Sequence, residues 1–169
     1  EHAAMASELT PAGLWHNIVM KPRDTLQRFV FEHAAIRGEI VHLDSAWRAV
    51  LERHEYPPAV RNLLGELMAA AVLLSAMLKF NGSMILQIQG NGPVNLLVVE
   101  STSERTLRGM AQWNGELASM PFAELVGQGK FVITIDPKEE GQRYQGIVSI
   151  EGETVSEALE NYLARSEQI

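Results

Sequence analysis

Apolar residues recur along this chain with two different periods. Between residues 59 and 79 they fall at Val60, Leu63, Leu64, Leu67, Met68, Ala71, Leu74 and Leu78, three or four positions apart, the spacing that gathers side chains on one face of an α-helix. The second half of that run, Ala69 to Met77, is apolar on nearly every side, so it predicts a central helix enclosed by several neighbours. Beyond Asn81-Gly82 the period becomes two. Met84, Leu86 and Ile88 alternate with Gln87 and Gln89, as in a half-buried strand. Gly90-Asn91-Gly92-Pro93 reads as a turn, and Asn95 to Glu100 continues as strand. Residues 106–114 set Leu107, Gly109, Ala111 and Trp113 against Arg108, Met110 and Gln112, which predicts an antiparallel meander. Phe131 to Ile135 and Tyr144 to Ile150, separated by a polar loop over 136–141, predict a hairpin.

The flanks carry further elements. Residues 25–31 and 36–43, joined through His33-Ala34-Ala35, are rich in β-formers and predict two paired strands. Asp44 and Ser45 offer oxygens to cap a helix with Trp47, Val50, Leu51 and His54 on one face, and Tyr56-Pro57-Pro58 ends it. Residues 121–126 predict a short helix stopped by Gly127. Thr154 and Glu157 form a capping-box pattern opening a last helix with Val155, Ala158, Leu159, Tyr162 and Leu163 inward, before a polar tail over 165–168. Strands and helices are segregated rather than alternating. The expected class is α+β, with mostly antiparallel or mixed sheets around the central apolar helix and further helices on one side. Residues 1–23 read as a leader or expression-derived segment of poor order, and 24–169 as one domain.

Composition narrows the function classes. With 169 residues, 46% of them hydrophobic, the chain can bury one sizeable core. A formal net charge of −7 leaves no basic surplus to attract phosphate backbones or anionic membranes. There is no cysteine, which removes disulfides, thiolate nucleophiles and sulfur-ligated zinc from this sequence and suits a reducing compartment. The longest strongly apolar stretch, Leu67 to Leu78, falls short of the ~18 residues of a membrane span, and the opening segment lacks the cationic start and apolar core of a secretory signal.

No catalytic constellation emerges. Gly90-x-Gly92 is followed by Pro93 and a strand, whereas a phosphate-cradling loop must open a helix; the hairpin-turn reading is preferred, with Asn-Gly supplying positive φ. His33, His42 and His54 share no metal-ligand spacing. Glu66 is a carboxylate among apolar residues, a candidate acid or base, but no second carboxylate or nucleophile is tied to it, and an ion pair with Arg61, Arg105 or Arg108 is the preferred account. No serine sits in a Gly-x-Ser-x-Gly elbow. Of seven methionines, Met68 and Met77 are expected in the core. Met110, on the strand face opposite Trp113, is a candidate for promiscuous apolar contact if that face meets solvent.

Taken in order, several segments resemble the N-terminal domain of the redox-regulated 33 kDa chaperonin family of heat-shock proteins. They are Leu64-Gly65-Glu66-Leu67-Met68-Ala69-Ala70-Ala71, Leu78-Lys79-Phe80-Asn81-Gly82 and Leu86-Gln87-Ile88-Gln89-Gly90-Asn91-Gly92-Pro93, with Arg37-Gly38, Leu107-Arg108-Gly109, Gly127-Gln128-Gly129, Ile133-Thr134-Ile135, Tyr144-Gln145-Gly146 and Ser166-Glu167-Gln168. The resemblance runs from about Asp24 to the end. It implies a cytoplasmic stress-response holdase, not an enzyme, that binds unfolded or misfolded clients without ATP and forms homodimers. It also implies a C-terminal zinc-binding domain whose four cysteines sense redox state. With no cysteine here to take those roles, that domain is expected to lie outside this sequence, and no catalytic residue, cofactor or metal ligand is assigned. Met84, Leu86, Ile88, Met110 and Trp113 are the candidate client contacts. The partners expected are unfolded proteins and a second copy of the chain, and neither nucleic acid nor membrane. The alternative is a structural dimerisation module that binds no client of its own.

Overall fold

Alternation over residues 82–149 builds one antiparallel sheet. The computed structural model describes residues 18–19, 23–77, 81–117, 119–138 and 141–166. Most of the expected leader, residues 78–80, which were expected to close the central helix, residues 118 and 139–140, and residues 167–169 lie outside the described residues. In chain order the strands are β1 (Ile18–Val19), β2 (Thr25–Val30), β3 (Arg37–His42), β4 (Gly82–Gly90), β5 (Val94–Thr102), β6 (Thr106–Trp113), β7 (Gly129–Pro137) and β8 (Tyr144–Ser149). The helices are α1 (Ser45–Leu51), α2 (Pro58–Met77), α3 (Phe122–Val126) and α4 (Val155–Ser166). The large sheet has the order β1-β6-β5-β4-β7-β8, and β2 and β3 pair separately as a two-stranded hairpin. Every pairing is antiparallel. The fold is the α+β arrangement expected, with a short strand drawn from the leader, since Ile18 faces Leu107.

The period-3.6 stripe of α2 buries Val60, Leu63, Leu64, Leu67, Met68, Ala71, Val72 and Leu74. They pack on the inner row of the sheet, which includes Met84, Leu86, Ile88, Leu97, Val99, Leu107 and Phe131. Gly109 lets the helix ride low, because a Cβ there would lie 3.3 Å from a Leu64 methyl. α2 also passes the length and hydropathy test of a membrane span; its buried stripe against the sheet is the packing of a core helix. Met77, expected in the core, is 52% exposed, because it is the last residue of α2 and the stripe that packs on the sheet ends at Leu74.

Two caps differ from expectation in an informative way. Asp44 makes no side-chain cap bond at α1. Instead Asp24, at the base of the β2–β3 hairpin, accepts the Asp44 and Ala46 N–H groups (2.8 and 3.2 Å), while Asp44 pairs with Arg48 at 2.7 Å. One carboxylate thus caps α1 and ties the hairpin to it. At α4 the capping box forms: Thr154 Oγ1 accepts from Glu157 N at 3.1 Å, and Glu157 accepts in return from Glu153 N, one residue before the expected donor.

The Gly90–Pro93 turn is held by the α3–β7 connection. Asn91 and Gly92 donate to the Gln128 and Val126 carbonyls (3.0 and 2.8 Å), and Asn91 Oδ1 accepts from Gln128 N at 2.8 Å. Neither Asn91 nor Gly92 has positive φ; of this pair of loops only Gly127 does, at 67°. The glycines are needed for approach instead: a Cβ on Gly90 would lie 2.0 Å from the Val126 oxygen, and one on Gly129 2.1 Å from the Gln89 oxygen.

Candidate functional site

The catalytic candidates stay dispersed. Glu66 is exposed at the rim of an open depression of about 470 Å³ lined by Trp47, Leu51, Arg61, Asn62 and Gly65. Arg108 pairs with Glu100 rather than with Glu66, and no ion pair to Glu66 forms among the described residues, which corrects the expected salt bridge. Partial desolvation at the rim pushes its carboxyl above the usual range. The lining holds no nucleophile and no second carboxylate. A folded-state pKa above the unfolded one means that the native chain binds more protons just above the ordinary carboxylate pKa, so stability falls as pH rises through that window. Glu66→Gln is accordingly expected to raise Tm at pH 7 slightly and to leave it unchanged at pH 3; a lowered Tm at pH 7 refutes the desolvation account.

Among the described residues the histidines do not meet. His33 and His42 are exposed, whereas His54 joins Tyr56 and Trp113 in an aromatic trio with centroids 4.8 to 5.7 Å apart. Burial pushes the Tyr56 phenol up, opposed by its hydrogen bond with the Ala111 backbone. Among the described residues no cluster of three His, Cys, Asp or Glu side chains is placed to hold a metal.

The five candidate client contacts are placed as follows. Met84, Leu86 and Ile88 have no solvent exposure and point at α2. Met110 lies on the opposite sheet face, as its alternation with Trp113 requires, yet it is 1% exposed. It stands in one cross-strand row with Val98, Gln87, Val132 and Ile147. Trp113 is half-buried in the aromatic trio. The residues that sequence reasoning chose for their regular alternation are those the fold encloses.

Exposed apolar surface concentrates elsewhere, on the β2–β3 hairpin. Leu26 and its partner Val41 pack toward the core, and on the same face Arg28 bonds Glu39 at 2.8 Å and the Ala76 carbonyl at the end of α2 at 2.5 Å. Strand alternation therefore turns Phe29 and Ile40 to the other face, with Phe31 and Ile36 beside them where the strands meet the connecting turn. Phe29, Phe31, Ile36 and Ile40 are 41 to 58% exposed. The Phe29 ring lies across β3 because Gly38 has no side chain; a Cβ there would stand 2.2 Å from the ring. Phe29 and Phe31 meet edge to face at 5.8 Å. Val30, 73% exposed, adds apolar area on the other face of the hairpin. Among the described residues β2 and β3 pair only with each other. A cluster of this kind marks an interaction site more often than scattered surface leucines do. Its sequence signal, Phe29-Val30-Phe31 without alternation to polar residues, was legible as a departure from period two.

Comparison with known proteins places this geometry. The family model described as Hsp33 protein matches residues 24–169. A 33 kDa chaperonin of Methylobacillus flagellatus is 51% identical over 151 residues, covering 89% of this chain and 52% of that protein. Its counterpart in Chromobacterium violaceum is 51% identical over 152 residues, with the same coverage. The crystal structure of the 33 kDa chaperonin (heat shock protein 33 homolog) from Thermotoga maritima superposes with a TM-score of 0.74 at 26% identity, covering 86% of this chain and 52% of that one. The chain spans about half the length of the curated relatives it matches.

Proposed function

Since the chain belongs to the Hsp33 family, we propose that it is the client-holding part of an ATP-independent chaperone, gripping unfolded polypeptides through exposed apolar surface. The observation that carries this reading is the solvent-facing Phe29, Phe31, Ile36 and Ile40 cluster on the β2–β3 hairpin. Apolar area removed from water contributes about 25 cal/mol per Å², so a few hundred Å² offset a modest ordering cost without nucleotide. No reaction is involved, and no cofactor is needed by this part of the protein. Of the five contacts expected from sequence, Trp113 is partly accessible; Met84, Leu86, Ile88 and Met110 reach a client only if the sheet opens.

The proposed setting is the bacterial cytoplasm under stress, with the chain acting as a homodimer and with neither nucleic acid nor membrane as partner. Redox control belongs to a C-terminal zinc and cysteine domain outside this sequence, which in the intact protein would cover the apolar surface until oxidised. The test uses the 169-residue chain in reducing buffer without nucleotide. At stoichiometric excess it is expected to suppress light scattering by a heat-denatured client. Undiminished aggregation of the client overturns the reading.

A further inference from the structure

We propose that a client is held as an added strand: an extended segment pairs antiparallel with the free edge of β2, with apolar residues at alternate positions beside Phe29 and Phe31 and acidic or neutral polar residues between them. This rests on the holdase reading above and names the kind of segment the hairpin takes. Phe31 N donates to the Ile36 oxygen at 3.0 Å, which makes that facing pair hydrogen-bonded. Such pairs alternate along an antiparallel ladder. With Phe29 facing Gly38, Arg28 facing Glu39 and Val30 facing Arg37, the N–H and C=O groups of Leu26, Arg28 and Val30 therefore point away from β3. Among the described residues β2 pairs with no other strand, and β3 is the strand packed beside α2.

The chemistry of that edge fits a polypeptide better than a bare oily surface. A row of unpaired main-chain donors and acceptors next to an apolar face supplies both parts of strand addition, ladder bonds for affinity and alternate side-chain positions for selection. β2 contains no proline and no lysine, and its one charge, Arg28, reaches back to Glu39 on β3 and to the Ala76 carbonyl, which leaves the edge clear. In an added antiparallel strand, residues facing Phe29 and Phe31 turn their side chains to the aromatic face and their own N–H groups outward. Residues facing Arg28 and Val30 bond to β2 and lie on the opposite face. There the exposed Arg28 and Arg37 outnumber the largely buried Glu39 carboxylate, so an acidic residue is favoured and a basic one disfavoured.

The probe is a short fluorescein-labelled peptide in which valine alternates with serine and glutamate, titrated with the 169-residue chain in reducing buffer and read by anisotropy. Methylating the backbone nitrogens of its central polar residues removes the N–H groups aimed at β2 and keeps every side chain. It is expected to weaken binding by about tenfold or more, while methylating the central valine nitrogens changes it by about twofold or less. Exchanging glutamate for lysine is expected to weaken it about threefold. In the protein, Val30→Pro removes an edge N–H and spares the β3 ladder; it is expected to cost about tenfold, and Val30→Thr, which keeps the N–H, about twofold. If Val30→Pro does not fold, hydrogen exchange of the wild type decides, because the Arg28 and Val30 amides are expected to slow when the peptide binds. Equal effects from the two methylated peptides, with the parent still bound, overturn strand addition and leave apolar holding standing. A loss confined to the valine set overturns the antiparallel direction. Amide protection that rises with protein concentration in the absence of peptide gives the edge to a second copy and overturns the proposal. A chain that binds no peptide yet suppresses client aggregation overturns strand addition alone, and one that does neither overturns the holdase reading with it.

Discussion

Combining Phe29→Thr, Phe31→Thr, Ile36→Thr and Ile40→Thr is expected to abolish suppression of client aggregation while leaving the fold intact. Threonine is β-branched and suits a strand, so the hairpin persists and only its greasy covering is lost. At their observed exposures the four side chains present on the order of 400 Å² of apolar area, a gross driving force of about 10 kcal/mol. Most of that is offset when a flexible client is ordered, so the loss expected in affinity is about tenfold or more. Two measurements go together: scattering from a heat-denatured client, and Tm with circular dichroism of the variant itself. Undiminished suppression by a folded variant excludes the hairpin as the holding surface.

Leu67→Ala is expected to lower stability by about 3 kcal/mol, because a fully buried leucine leaves a cavity that its neighbours fill only in part. Leu67 lies midway along α2 with no solvent exposure, between the helix and the sheet it covers. In a domain of this size the change corresponds to a fall in Tm of roughly 10 °C, against a total stability that is typically about 5–15 kcal/mol. Thermal unfolding followed by far-ultraviolet circular dichroism measures it. A fall of only a degree or two shows that the α2–sheet contact is not the centre of the core. Taken together, the two variants separate the halves of the molecule: one loses function at constant stability, the other loses stability with the hairpin face untouched.

The architecture was legible because its largest elements follow simple periods. The α2 stripe at Leu64, Leu67, Met68 and Ala71 and the β4 alternation at Met84, Leu86 and Ile88 appear where their spacing puts them. Long-range capping was not legible: Asp24 serves a helix twenty residues away, and nothing local distinguishes it from Asp44. The five expected contacts fall mostly on buried positions for a physical reason. Core and client contact draw on the same residue types, so alternation selects the sheet interior, and exposure depends on which faces tertiary packing leaves over. The Phe29-Val30-Phe31 run breaks period two in the sequence, but its exposure follows only from β2 pairing, among the described residues, with β3 alone. The Asn91-Gly92 pair was likewise expected to supply a positive φ that neither residue has, because close approach by a second loop has no local signature.

That second loop bears on how the molecule tolerates being lengthened. Where the Gly90–Pro93 turn and the Gly127–Gly129 link touch through their backbones, neither has room for one more residue without prising the other away, and both strands that flank them would lose registry. Around Gly115 the situation is reversed, for nothing lies within 4 Å of the place a side chain would occupy. A short inserted peptide is therefore better accommodated beside Gly115 than in the glycine-rich bend that first catches the eye in the sequence.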